Sequence, residues 1–156
     1  MGNQAMTAIT IGIDPGMTGA LAILNHDKQL IAIYDLPFIG KRLTAAVLHG
    51  WILEQDGQIE AFVEEAQAMP GNGAVAMFNY GTGYGTILGV LAACEIPYHT
   101  VRASTWKRAL GLTKDKTASR RRASELWPKE AHLFTRAKDD GRAEAALIAL
   151  YGMSSP

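Results

Sequence analysis

The sequence predicts a mixed fold, α/β or α+β, and two observations carry that prediction. The first is the order of its apolar runs: three strand-like runs, a helix-like run, then another strand-like run. The second is where the acids fall, at the ends of two strand-like runs and at the start of the last helix-like run.

The chain opens with an apolar run, Ala8 to Ile13, that reads as a strand. A turn follows, Asp14-Pro15-Gly16-Met17-Thr18-Gly19, and a second strand runs from Ala20 to Leu24. Pro15, Gly16 and Gly19 are turn residues, so the pair reads as a β-hairpin with a wide turn. Asp14 sits where the first strand ends. A carboxylate there costs strand propensity and gains nothing in a core. It either starts the turn or faces a cleft and holds something positive.

A polar turn, Asn25 to Lys28, leads to a third strand, Gln29 to Tyr34. Pro37 and Gly40 mark a loop. Thr44 is a candidate N-cap for a helix carrying Val47, Leu48, Trp51, Ile52 and Leu53 at helical spacing, ended by Asp56-Gly57. Ile59 to Glu64 is a fourth strand and again ends in a carboxylate. Gln67 to Ala76, with Pro70, Gly71 and Gly73, reads as a loop. A helix is expected from Thr82 to Cys94. Its glycines at 81, 83, 85 and 89 are costly unless something packs close to them. Their spacing is not that of a dinucleotide fingerprint, which leaves helix-to-sheet packing or backbone approach to a phosphate.

Tyr98 to Val101 is a short fifth strand. Ser104 or Thr105 caps a short helix, Trp106 to Leu110. A basic loop leads to a helix from Thr117 to Leu126, stopped by Pro128. Lys129 to Ala137 is an irregular connection. The last helix runs from Asp139 or Asp140 to Tyr151.

Composition narrows the function classes. The chain has 156 residues, 48% hydrophobic and 19% charged, which suits one folded domain over 1–156 with a sizeable core. No apolar run reaches the roughly 18–20 residues of a membrane helix, and no signal-peptide pattern opens the chain. A cytoplasmic protein without membrane attachment is the expectation. Cys94 is the only cysteine, which excludes an internal disulfide, and its apolar neighbours suggest a buried thiol. Net charge is zero, yet between Arg102 and Arg122 eight Lys or Arg face one acid, Asp115. Such a block suggests contact with a polyanion, although charge runs often form a solvated helix face.

The acids form a pattern. Asp14 and Glu64 end two strands, Asp139-Asp140 opens the last helix, and Glu144 follows one turn later, on the same face as Asp140. Ala143, Ala145, Ala146 and Ala149 are small, so this helix can pack near a sheet and bring Glu144 to the strand ends. An all-oxygen cluster of this type suits Mg²⁺ or Mn²⁺ rather than zinc or copper. Two such ions support in-line attack of water on a phosphodiester. Taken singly, Asp139 and Asp140 could instead complement a helix dipole.

On these residues the chain resembles the RNase H-like superfamily, and within it the RuvC-type Holliday junction resolvases. The carriers are Ile11 to Gly19, Phe62-Val63-Glu64, the helix with Gly81 and Gly85, Trp106-Lys107, Asp115-Lys116, and Asp140-Gly141-Arg142-Ala143-Glu144-Ala145. The resemblance spans roughly Thr7 to Gly152, and the compact form is similar to resolvase-like proteins of phages and prophages. It implies a five-stranded mixed sheet flanked by helices. It also implies a homodimer that nicks two symmetry-related strands of a four-way DNA junction with Mg²⁺, for which Mn²⁺ substitutes. Asp14, Glu64, Asp140 and Glu144 are the implied metal ligands, with Lys116 near the scissile phosphate as a further catalytic group. Phe78 and Tyr80 fall where the family stacks an aromatic on an unpaired base. Lys107, Arg108, Lys114, Arg120 and Arg121 are the candidate DNA-backbone contacts. One departure is visible. The family usually carries two aspartates three apart on the last helix, whereas here Asp140 and Glu144 are four apart, so Asp139 is an alternative to Asp140.

Two other readings remain open. The Asp-x-Gly hairpin with Thr-Gly also resembles the first phosphate motif of sugar kinase and actin-type ATPases, but the chain is too short for their two lobes. A DNA-binding module without catalysis, or a nuclease for other branched DNA or RNA–DNA hybrid, would use the same basic segment.

Overall fold

A computed structural model describes residues 6–155. Its centre is a five-stranded sheet built from β1 (Ala8–Asp14), β2 (Ala20–Asn25), β3 (Leu30–Asp35), β6 (Gln58–Glu64) and β7 (Tyr98–Val101), in the order β3-β2-β1-β6-β7. A small hairpin, β4 (Phe38–Ile39) with β5 (Arg42–Leu43), stands apart from it. The β1–β2 and β2–β3 pairs are antiparallel, and β1–β6 and β6–β7 are parallel. The sheet is therefore mixed, as the resemblance implies. The helices are α1 (Ala45–Leu53), α2 (Ala74–Ala93), α3 (Ala103–Ala109), α4 (Lys116–Leu126) and α5 (Asp140–Ser154), with 3₁₀ turns over Pro128–Phe134 and Ala137–Asp139.

Alternation along the strands splits the core in two. Ile9, Ile11 and Ile13 of β1, with Leu21 and Ile23 of β2, face α1 and α2 and meet Leu48, Ile52, Ile87 and Leu91. Ala20, Ala22 and Leu24 face the other way and meet Trp106, Ala123, Phe134 and the wholly buried run Ala145 to Ala149.

Small residues bring α5 against the sheet. A Cβ at Gly12 of β1 would collide with the carbonyl of Ala145 and the backbone nitrogen of Ala149. A Cβ at Gly141 would collide with the Thr18 carbonyl in the turn after β1. Glycine at these two positions lets the backbone of α5 approach β1 and its turn more closely than any side chain permits.

Several element boundaries differ from the sequence expectation. The helix expected from Thr82 begins at Ala74, so Phe78 and Tyr80 lie on a helix. Gly73 occupies its N-cap position, and the buried Gly83, Ile87 and Leu91 repeat every four residues along one face. Gly81, Gly85 and Gly89 have nothing within reach of an added Cβ, so close packing is not their role among the described residues. The expected loop at Pro37 to Gly40 contains β4, and Gly40 takes the positive φ of the turn to β5. Arg102, not Ser104 or Thr105, precedes α3, which starts at Ala103. Cys94 is partly exposed just past the end of α2 rather than buried. Among the described residues, no helix is long and apolar enough to cross a membrane.

Candidate active site

The parallel pairing of β1 and β6 sets Ile13 beside Val63. The next residues, Asp14 and Glu64, therefore stand side by side at the C-terminal ends of two central strands, where open sheets commonly place their sites. Asp14 Oδ1 accepts the Gly16 N–H at 3.0 Å, so the turn residue also aims the carboxylate. On α5, Glu144 comes up beside them and is buried, its side chain 4% exposed.

The electrostatics show how close the three acids are. Burial, then Glu64 and Glu144, push the Asp14 carboxyl up to about 7, against the opposing Gly16 N–H and Lys116. Burial also raises Glu64, and Glu144 adds to the rise. The Trp106 indole N–H donates to Glu64 Oε2 at 2.8 Å and holds that rise back, with help from Lys107 and Lys116.

Two positive groups, Lys107 and Lys116, act on the cluster, and a third, Arg120, holds Asp140. The Lys107 ammonium stands 3.0 Å from Glu144 Oε1 and 5.3 Å from the centroid of the Trp106 ring, with its side chain only 13% exposed. This is an ion-pair distance, yet Glu144 Oε1 is buried and has no directed hydrogen-bond partner. Lys116 is exposed at the start of α4, whose Asp115 cap accepts the Thr117 N–H at 2.9 Å. Arg120 Nε donates to Asp140 Oδ1 at 2.7 Å.

The candidate residues thus divide. Asp14, Glu64, Glu144 and Lys116 come together. Asp140 instead engages Arg120 at 2.7 Å. Asp139, the alternative, is 1% exposed and is bound by Arg136 through both carboxylate oxygens, with Arg142 3.6 Å away. Burial would raise its carboxyl, but the Arg136 hydrogen bonds override this and hold it below the ordinary range. Lys107 and Arg120, expected as backbone contacts, are committed to internal carboxylates, whereas Arg108, Lys114 and Arg121 are exposed.

The two aromatics also separate. Phe78 is 74% exposed. Tyr80 is half-buried and lines a cleft of about 580 Å³ with Glu64, Glu65, Arg102, Ser104 and Lys114. Burial, then Asp14 and Glu64, push its hydroxyl up to about 12, so it stays protonated near the cluster. Trp106 was visible in the sequence as part of Trp106-Lys107, but its role as the donor to Glu64 had no sequence signal. Nothing in the sequence linked Arg120 to Asp140 either.

The donor set is all oxygen, carries surplus negative charge and includes a buried oxygen without a hydrogen-bond partner. That chemistry fits a hard divalent cation, and Asp14, Glu64 and Glu144 are the residues that could hold one. Among the described residues, however, no three acids, histidines or cysteines stand close enough to enclose an ion as they are.

No protein-family model matches the chain. The chloroplastic Holliday junction resolvase MOC1 of Chlamydomonas reinhardtii is 31% identical over 96 residues, which are 60% of this chain and 11% of that protein. The chain therefore corresponds to a small part of that relative. A Thermus thermophilus RuvC in complex with Holliday junction substrate superposes with a TM-score of 0.67 at 20% identity, covering 92% of this chain and 91% of the other. A second Thermus thermophilus RuvC structure gives a TM-score of 0.60 at 20% identity, covering 92% of each chain. The sheet order, the flanking helices and these superpositions agree: the chain has the RuvC form of the RNase H-like fold.

Proposed function

We propose that this chain, read as one nuclease domain over 1–156, is a metal-dependent endonuclease that resolves four-way DNA junctions. In this reading it acts as a homodimer that places one nick in each of two symmetry-related strands. The observation that carries it is the meeting of Asp14, Glu64 and Glu144 at the strand ends of a RuvC-type fold, beside Lys116 and a run of exposed cations. The similarity to MOC1 and the superposition on RuvC support a junction as the substrate.

Asp14, Glu64 and Glu144 hold the divalent ions, Mg²⁺ with Mn²⁺ as a substitute. When bound, such ions activate water and offset charge on the phosphate. The chain does the rest. Trp106 fixes the rotamer of Glu64 through its indole N–H. Gly16 does the same for Asp14. Lys116 supplies a fixed positive charge where the phosphate gains negative charge. Lys114, Arg108 and Arg121 follow the DNA backbone. Phe78, exposed on α2, is free to stack on an unpaired base, an interaction worth about 1–3 kcal/mol per base. Tyr80, in the cleft wall, is placed to touch the strand that enters the site.

A non-catalytic DNA-binding module that uses the same exposed cations, Arg108, Lys114 and Arg121, is the second reading. A cleavage assay separates the two. The assay uses a labelled mobile four-way junction beside a flap and a linear duplex, with Mg²⁺ or with EDTA. Paired, Mg²⁺-dependent nicks confined to the junction are expected. Equal cutting of the flap would make the chain a broader branched-DNA nuclease, and binding without cutting would make it the module.

A further inference from the structure

The site is already partly neutralised by the chain itself. Asp14, Glu64 and Glu144 bring three negative charges when ionised, and Lys107 and Lys116 bring two positive charges. The two lysines are placed differently. Lys116 is exposed and acts on Asp14 and Glu64 from the rim. Lys107 is inside. Its ammonium lies 3.0 Å from Glu144 Oε1, over the face of the Trp106 ring, and both side chains of the pair are almost out of solvent at 13% and 4% exposure. The fourth candidate acid does not add charge here, because Asp140 is bound by Arg120 at 2.7 Å.

A buried carboxylate without a cation is costly, so the folded chain needs a counterion at Glu144 before any metal arrives. Lys107 supplies it. A divalent ion bound to Glu144 would stand next to that ammonium in a site screened from water, where repulsion between like charges is strong. The Asp14–Glu64 side has no cation at ion-pair distance among the described residues, whereas Glu144 has Lys107 at 3.0 Å.

We propose that Lys107 occupies the cation position at Glu144 in the metal-free protein, so that without DNA the chain binds one divalent ion, on the Asp14–Glu64 side. A second ion at Glu144 then requires Lys107 to leave. This rests on the reading of the three acids as metal ligands. Lys107 is in this sense a positioning residue that sets how many ions the DNA-free site takes.

The test is a Mn²⁺ titration of the full chain without DNA, read by electron paramagnetic resonance and calorimetry. It compares wild type, Lys107→Met, Lys107→Gln and Asp14→Asn, each checked for fold by circular dichroism. Wild type is expected to bind one Mn²⁺ per chain. At least one of the Lys107 variants, whichever stays folded, is expected to bind a second Mn²⁺ with spin coupling between the two, or to bind at least fivefold more tightly. The same variants should show a larger Mn²⁺-induced rise in Tm than wild type, because metal then replaces a missing counterion. Two bound Mn²⁺ in wild type, or unchanged stoichiometry and affinity in folded Lys107 variants, would overturn the proposal. No Mn²⁺ binding in wild type, or wild-type binding by Asp14→Asn, would instead overturn the metal-ligand reading and the proposal with it.

Discussion

The Trp106 indole N–H donates to Glu64 Oε2 at 2.8 Å, joining a wholly buried side chain of α3 to a carboxylate at the end of β6. The bond does two things. It fixes the orientation of Glu64, and it keeps burial from raising the Glu64 carboxyl further. Trp106→Phe keeps most of the packing and removes the donor. Losing a group that orients a metal ligand typically costs about 10–100-fold in affinity or activity. Junction cleavage by Trp106→Phe is expected to fall in that range, with its pH profile shifted upward. An unchanged profile would mean that Trp106 only packs.

Asp14 gives a pH prediction for the metal-free protein. Its carboxyl is raised from 3.8 to about 7 on folding, so between those values the folded state holds more protons than the unfolded state. Stability from this group is full below about pH 4 and is lost as pH rises through about 7. Asp14→Asn removes this loss. The variant is expected to be more stable than wild type at pH 8 in EDTA, by on the order of 1–3 kcal/mol, and closer to it at pH 5. Urea unfolding at the two pH values measures the difference.

Gly12 is the contact point of α5 and β1, and an added methyl would press on the Ala145 carbonyl. Gly12→Ala is therefore expected to destabilise the protein by about 3 kcal/mol or more, since backbone cannot move aside as a side chain can. It should also displace Glu144, one residue from Ala145, and slow cleavage. A wild-type denaturation midpoint for Gly12→Ala would contradict the close packing.

Arg120 and Asp140 should couple energetically. Their side chains are only 20% and 21% exposed, and the bond is charge-assisted at 2.7 Å. A double-mutant cycle with alanine at both positions is expected to give about 1 kcal/mol of interaction. A coupling near zero would mean that the pair is incidental and that Asp140 is free to join the acidic cluster.

Lys116 is exposed, so its removal should leave the fold intact. Lys116→Ala is expected to slow the cleavage step by on the order of 100-fold while weakening junction binding far less. A loss confined to affinity would make it a backbone contact only.

Much of this arrangement was legible in the sequence. The hairpin Ala8 to Leu24 announced itself by apolar runs around Pro15, Gly16 and Gly19. Asp14 and Glu64 stood out because acids at strand ends serve no packing purpose. The small residues of α5 signalled close packing, which the structure realises at Gly12. What stayed hidden depends on contacts between distant segments. Trp106 and Glu64 are 42 positions apart, and Arg120 and Asp140 are 20 apart, so no local pattern reports either pair. The early start of α2 was hidden for another reason. Pro70, Gly71 and Gly73 suggested a loop through Ala76, whereas they end at the helix cap and Ala74 begins the helix. Lys107 and Arg120 read as surface cations because a charge run carries no sign of which members turn inward.

Asp14 is proposed to hold metal for cleavage and to be dispensable for reaching the fold and for binding DNA. The most direct measurement follows wild type and Asp14→Asn side by side on a labelled four-way junction in Mg²⁺, with binding read by gel shift and cutting read at the nucleotide level. Equal junction binding, paired symmetric nicks by wild type, and cleavage by Asp14→Asn lowered by at least about 100-fold are expected. Cleavage by a folded Asp14→Asn at the wild-type rate would contradict that role.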